Sequence, residues 1–209
     1  MTDFAALTAE MQELRERLDK AEHRADRAQD WIDVQNLQRS YGYYVDKFQW
    51  DQVADLFARE CTLEINARGK FFGQDRVREY MHHFGPPKHG MLMNHMQLQP
   101  VIHVADDGLK AKGRFRALMM VGQLGVEAKW GEAIYENHYV KQDGTWKISS
   151  LRAWQVFYTS YDKGWGEEAL PLATQFGDFP PDEVTEPYPI FPDHFVPPFH
   201  YANPVTGRE

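Results

Sequence analysis

The sequence predicts an α+β domain in which helices come first and a long antiparallel sheet second. Three observations predict it. Apolar residues recur at helical spacing as far as about residue 84. Four long extended runs then follow one another from about residue 92. Asp106-Asp107-Gly108 and Gln142-Asp143-Gly144 lie between such runs, where glycine supplies the positive φ of a tight hairpin turn. Helices ahead of a meander are expected to cover one face of a curved sheet.

The first element, residues 1–30, repeats at spacings of three and four through Phe4, Leu7, Met11, Leu14, Leu18, Ala21, Ala25 and Ala28. This is an a/d seam of a coiled-coil-like amphipathic helix, with Glu and Arg on its flanks. So narrow a seam seeks another helix, which predicts a homo-oligomer, a dimer or trimer. A helix lying along its own domain is the alternative, and the late alanines, which bury little, keep it open.

Residues 31–165 form the second unit. Ile32, Leu37, Tyr41, Tyr44 and Phe48 keep helical spacing, and a short helix follows over Gln52 to Phe57. Cys61 to Asn66 reads as a strand and Gly73 to Phe84 as a third helix with Val77, Tyr80, Met81 and Phe84 apolar. Gly85-Pro86-Pro87 ends that helix, because proline lacks the N–H that would continue it. The extended runs are Leu92 to Val104, Lys110 to Gln123, Trp130 to Lys141 and Thr145 to Tyr158.

The third unit, residues 166–209, holds nine of the twelve prolines, all from Pro171 onward. Proline density usually signals disorder. Phe176, Phe179, Tyr188, Phe191, Phe195, Phe199 and Tyr201 are interleaved here, and so many rings need burial. An ordered, extended arm packed on the domain or on a neighbouring subunit is therefore expected.

Composition narrows the partners. At 209 residues the chain suits one buried domain with extensions. A net charge of −8 argues against nucleic acid and against an anionic membrane surface, both of which demand a basic face. No apolar run approaches about 18 residues, so no spanning helix is expected. Met1-Thr2-Asp3-Phe4 opens an acidic segment without a signal-type core, and the lone Cys61 suits a reducing cytoplasm. Cys61 reads as a small core residue rather than a nucleophile.

The chemistry concentrates in Tyr43-Tyr44-Val45-Asp46-Lys47-Phe48-Gln49-Trp50. A carboxylate beside tyrosines on a core-facing helix needs partners if buried, and suits a pocket that moves protons. It reads equally well as a group that faces water or caps the turn before Trp50.

The order of these elements resembles the nuclear transport factor 2-like superfamily, in its SnoaL-like and scytalone-dehydratase-like branch. The residues that carry the resemblance are Asp46 and Trp50-Asp51, Asp55-Leu56-Phe57-Ala58 running into Cys61-Thr62-Leu63-Glu64-Ile65, the strand Asn94 to Ile102, and the hairpin Tyr135 to Ile148. The arm ending Pro198-Phe199-His200-Tyr201-Ala202-Asn203-Pro204 is similar to a subgroup that includes the diarylpropane lyases of aromatic-degrading bacteria. The resemblance implies a cone-shaped sheet with its site between sheet and helices. It implies an Asp on the first helix and a His opening a strand, positions that match Asp46 and His95. A second family histidine falls on Glu132, counted back from the Asp143-Gly144 turn.

Among the candidates, His95 titrates nearest neutrality, although a lone strand histidine is more often a bonded core residue. Gln97 shares its strand face and suits a substrate hydroxyl. Trp130, Glu132, Glu136 and His138 share one face of an unbulged strand; Ala133, Tyr135 and Tyr139 share the other, and parity alone does not identify the pocket. Glu132 is preferred to Glu136 because it lies farther from the hairpin tip. Arg116, like Arg114, suits a phenolate, but reads as a surface or subunit charge if the back of the sheet is exposed. His82, His83 and His89 lack the spacing of a zinc site, so no metal is expected. No phosphate-binding Gly loop or nucleophile elbow is present, and the resemblance to the lyases implies chemistry without a cofactor.

The resulting expectation is a cofactor-independent lyase for a small phenolic two-ring substrate, eliminating water and formaldehyde through a quinone methide to a stilbene. Asp46 and His95 move protons, Tyr43 or Tyr44 holds the phenol end, and Glu132 is the second acid or base. Gln97, Trp130, Arg116 and His138 line the substrate. A dehydratase, a cyclase or isomerase, and a non-catalytic binding protein are the alternatives.

Overall fold

The computed structural model describes residues 4–209; Met1, Thr2 and Asp3 of the expected first helix lie outside the described residues. Helix α1 (Phe4–Asp46) is followed by α2 (Trp50–Asp55), β1 (Phe57–Ile65), β2 (Lys70–Phe72), α3 (Gln74–His82) and the long strands β3 (Met91–Val104), β4 (Lys110–Gln123), β5 (Glu127–Gln142) and β6 (Thr145–Ser160). One sheet runs in the order β2-β1-β6-β5-β4-β3. The β3–β6 meander is antiparallel throughout, and β1 joins its far edge parallel to β6. This is the expected α+β architecture, a curved sheet with helices against one face.

The two helical patterns on either side of Asp30 are one continuous helix. Nothing between them breaks it, since the run from Gln29 to Asn36 holds neither proline nor glycine. The boundary at Asp30 is a boundary in packing. Residues 4–26 are exposed throughout, a projection of roughly 35 Å at 1.5 Å per residue. From there the helix is tied down: the Arg27 guanidinium donates to the carbonyls of Val104 and Ala105, and buried Asp30 accepts from Lys141 Nζ at 2.5 Å and Trp146 Nε1 at 2.8 Å. Val34, Gln38, Tyr41 and Val45, spaced at four, three and four, then form the buried face against the sheet. Buried Gln38 is fully used, donating to Gln97 Oε1 and accepting from Asn137 Nδ2 and Tyr139 Oη.

Two expected boundaries shift. The short helix ends at Asp55 and the strand begins at Phe57, not Cys61, because Phe57 enters the sheet opposite Ile148. The apolar run Val53-Ala54-Leu56-Phe57 suits either period and tertiary pairing decides it. β2, only three residues long, has no periodicity to announce it.

The arm is ordered and packs on its own domain. Phe179 stacks on Phe71 and Phe176 lies against Tyr80, His83 and Phe84. Further on, Tyr188 and Phe195 cover Trp154, Phe191 meets Phe157, and Phe199 lies under the Arg114 guanidinium. The arm thus begins on the helix side against α3 and, from Tyr188 on, crosses the sheet face opposite the helices. Arg114 is thereby taken off the surface: it lies over the Phe199 ring and pairs with Glu136, which also accepts from His200 of the arm, whereas Arg116 stays exposed, paired with Glu132.

Candidate active site

The elements meet around a cavity of about 480 Å³, within the range of small-molecule sites. Its walls include Tyr41, Val45 and Trp50 from the first helices, Tyr80 and Phe84 from and after α3, and Met93 and His95 on β3. Met119, Tyr135, Gln155 and Tyr158 come from the other strands. Leu170, Pro171 and Ala173 complete it, so the beginning of the arm is part of the wall. Gln155 fastens that segment, donating to the Pro171 carbonyl and accepting from the Ala173 N–H.

Strand parity selects the lining. On β5 the odd residues Ala133 and Tyr135 face the helices, which puts Glu132 and Trp130 on the arm side. On β6 the register shifts as Glu132 pairs with Phe157 but Ala133 pairs with Gln155, leaving Val156 bulged. The bulge flips the parity, and both Gln155 and Tyr158 enter the cavity.

His95 and Asp46 come together where the last turn of α1 crosses β3. Asp46 Oδ1 accepts the His95 backbone N–H at 2.6 Å and lies 3.8 Å from His95 Nδ1. Asp46 stands behind the imidazole rather than on the cavity wall, and His95 Nδ1 is buried without a hydrogen-bond partner. A carboxylate at a helix C-terminus opposes the helix dipole, and the last turn of α1 has no basic residue to offset it. The close approach depends on Gly42. A Cβ there would sit 2.7 Å from the His95 carbonyl oxygen and 2.9 Å from Gln97 Cγ.

Four phenols line the cavity, Tyr41, Tyr80, Tyr135 and Tyr158. Burial, helped by Tyr135 and Tyr80, lifts the Tyr41 hydroxyl well above the ordinary phenol range. Burial likewise raises Tyr135, which hydrogen-bonds Tyr41 and Gln97, and pushes Tyr158 up to about 12. All three are protonated at neutral pH, and the Tyr158 hydroxyl donates to Met119 Sδ at 3.1 Å. The fourth, Tyr80, accepts a hydrogen bond from Arg68 Nη1 at 3.0 Å.

The remaining expected residues are placed as follows. Tyr43 is 72% exposed on the outside of α1, and Tyr44 packs part-buried against the core without reaching the cavity. Gln97 sits behind the wall, bonded to Gln38 and Tyr135. Glu132 pairs with Arg116 on the arm side of the sheet, and His138 is exposed beside Lys112. Trp130 stacks with Trp165 and Phe157 on that same side. The structure therefore brings together His95 and Asp46 and leaves Tyr43, Tyr44, Gln97, Glu132, Trp130, Arg116 and His138 outside the cavity. It adds Tyr41, Tyr80, Tyr135, Tyr158 and Arg68. Parity on β5 held the signal for Tyr135 once its inner face was known. Arg68 and Tyr158 left none, because a loop residue and a bulge carry no periodicity.

Cys61 is buried and its thiol is pushed up to about 11 by that burial, as a small core residue would be. His82 pairs with Asp51 and His83 stacks on Phe179. Among the described residues no helix is long and apolar enough to cross a membrane.

The fold has known counterparts. A candidate scytalone dehydratase from Novosphingobium aromaticivorans is 17% identical, with 73% of this chain and 97% of that one aligned at a TM-score of 0.59. Hexachlorocyclohexane dehydrochlorinase LinA-type3 from Novosphingobium barchaimii is 21% identical over 70% of this chain and 98% of its own, at 0.58. ActVI-ORFA from Streptomyces coelicolor is 12% identical over 60% and 96%, at 0.53. At such identities the likeness is one of fold. No curated protein sequence matches the chain. The SnoaL-like domain matches residues 26–152, which begins beside the Arg27 anchor of α1 and ends within β6. By that match the chain belongs to the SnoaL-like family of the nuclear transport factor 2-like superfamily.

Proposed function

We propose that the protein is a cofactor-independent lyase that eliminates water and formaldehyde from a phenolic diarylpropane diol, giving a stilbene. The observation that carries this reading is the His95–Asp46 pair set into the wall of an aromatic cavity. Two of the structures sharing the fold are named for eliminations, a dehydrochlorinase and a candidate dehydratase, which supports the reaction class.

The chemistry needs one proton delivered and one removed. His95, charged against Asp46, protonates the benzylic hydroxyl. As water leaves, the para-phenolate pushes its electrons through the ring and a neutral quinone methide forms. The neutral imidazole then takes the proton of the terminal hydroxymethyl group. Its carbon–carbon bond breaks, the electron pair returns to the phenolate oxygen, and formaldehyde and stilbene separate. The imidazolium is regenerated and the cycle closes without a redox partner. The two hydroxyls of a 1,3-diol lie close enough for one imidazole to serve both, which removes the need for a second carboxylate at the position of Glu132. The Tyr135 hydroxyl supplies a hydrogen-bond donor that orients the substrate, whereas Tyr41 is bonded to Tyr135 and Tyr158 donates to Met119 Sδ. General acid–base catalysis of this kind contributes about 10²–10⁴-fold per group.

The test is incubation of the purified protein with phenolic 1,2-diaryl-1,3-diols, following stilbene absorbance and formaldehyde together. Loss of water without formaldehyde would identify a simple dehydratase. No turnover across a broad aromatic panel, with ligand binding retained, would make the protein a binding member of its family.

A further inference from the structure

We propose that Arg68 and the Tyr80 hydroxyl form an oxyanion site at the end of the cavity remote from His95, and that it binds the substrate as a phenolate. The proposal deepens the reading above and rests on its phenolic substrate. Arg68 differs from the other arginines of the domain, all of which are paired except Arg39, which is exposed on α1. Arg59, Arg76, Arg78, Arg114, Arg116 and Arg152 each pair with a carboxylate. Among the described residues Arg68 pairs with none, although it lines the cavity and is mostly shielded from solvent.

Its donors are incompletely used. Nη1 donates to Tyr80 at 3.0 Å, Nε is buried without a partner, and Nη2 meets no protein acceptor among the described residues. The guanidinium faces rings, Phe176 at 4.8 Å and Phe84 at 5.6 Å from their centroids. Rings stabilise the cation's face and leave its edge free for an acceptor. A buried cation lacking a counter-charge is costly, and an anionic ligand removes that cost. The Tyr80 oxygen already accepts from Arg68, so its own hydrogen is free to point at the same anion.

Two converging donors suit a single oxygen, and the ring-lined walls suit the flat body attached to it. A phosphate would ask for more donors than this end supplies. The position is also appropriate. Arg68 follows β1 and His95 lies on β3, separated in the sheet by β6, β5 and β4. Four inter-strand steps of about 4.8 Å span ~19 Å across the strands, a chord that the curvature of the sheet shortens. Both side chains line the one cavity from elements far apart in the strand order, which suits a substrate with its phenolate oxygen at Arg68 and its benzylic carbon at His95. Phe176 belongs to the arm, and the Ala67 N–H beside Arg68 donates to the Ala173 carbonyl at 3.0 Å. The arm thus holds the oxyanion end in place.

The test is equilibrium binding of 4-nitrophenol, whose ionisation is visible, against 4-nitroanisole, which cannot ionise. The intact protein should bind the phenolate about 10- to 100-fold more tightly than the anisole, as hydrogen bonds to a charge allow. Arg68→Met should lose that preference while keeping anisole affinity, and Arg68→Lys should keep part of it. Equal binding of the two dyes by the unaltered protein, or binding of neither, would overturn the proposal whatever the variants do. So would an unchanged preference in a folded Arg68→Met. Because no turnover is needed, a failed lyase assay leaves this result standing, and a failed dye assay leaves the elimination to be judged by its own products.

Discussion

Asp46→Asn removes a charge and almost nothing else. The amide oxygen of asparagine accepts the His95 backbone N–H as the carboxylate does at 2.6 Å, so the junction of α1 with β3 stays closed. What disappears is the attraction between the carboxylate and the imidazolium at 3.8 Å. Both side chains are more than four-fifths buried, yet not sealed. An effective dielectric near 20 is appropriate, and the pair is then worth at most about 4 kcal/mol. If the imidazolium must be present to expel the benzylic hydroxyl, that energy becomes roughly a 10³-fold loss in kcat. The assay is steady-state stilbene formation, with thermal melting to show that the fold is unchanged. His95→Gln should lose as much, and the double variant should be no worse than the poorer single, because the two residues act as one unit. A folded Asp46→Asn protein retaining more than about a tenth of the normal rate would refute the reasoning.

Glu132→Gln should leave turnover within about twofold and stability within about 1 kcal/mol, since its Arg116 partner is part-exposed and the pair faces the arm; a tenfold fall in rate would place Glu132 in the chemistry after all. Deleting residues 1–26 should reduce the assembly to fewer subunits while turnover per chain persists, because the seam from Phe4 to Leu18 finds no cover within one chain. Light scattering that returns the same subunit number would show that the seam serves another purpose. Tyr158 titrates near 10 in an unfolded chain and at about 12 in the fold, so its protonated form is favoured by folding and stability is lost as pH rises from 10 toward 12. Tyr158→Phe should flatten that decline by about 1.4 kcal/mol at pH 11, read from urea melts; a parallel decline would mean that the hydroxyl is solvated.

The helices, the four long strands and the ordered arm were legible because each carries a repeating pattern or an unmistakable composition. The 3.6-residue period marks Val34 to Val45 only loosely, since Gln38 sits in the middle of the buried stripe. Its burial depends on three partners from β3 and β5 that no local pattern announces. The junction of Asp46 with His95 was legible through the order of elements that the family resemblance supplies, not through spacing, for 49 residues separate them. The choice of face on β5 was not legible. Alternation separates Glu132 from Tyr135 but says nothing about which side the helices take, and here both sides are covered.

That double cover explains why the charged face of β5 looks like a site. A sheet face with Trp130, Glu132, Glu136, Arg114 and Arg116 would be an ordinary solvated surface were nothing laid across it. The arm crosses part of it, and the carboxylates then need the arginines beside them. Glu136, shared by Arg114 and His200, is the counter-charge that anchors the arm's last aromatic stretch. On the helix side the logic is reversed. There Arg68 lines the cavity with its Nε buried and unpartnered, and His95 Nδ1 is unpartnered on its Asp46 side; on the arm side Trp130 Nε1 is unpartnered too. Matched charges consolidate a fold, whereas buried groups left unmatched hold their hydrogen-bonding capacity in reserve for a ligand. On the cavity side that reserve lies at Arg68, whose guanidinium has no carboxylate partner among the described residues, whereas Arg114 and Arg116 on the arm side are each paired; the unpaired cation is what separates the cavity face of this sheet from its arm-covered one.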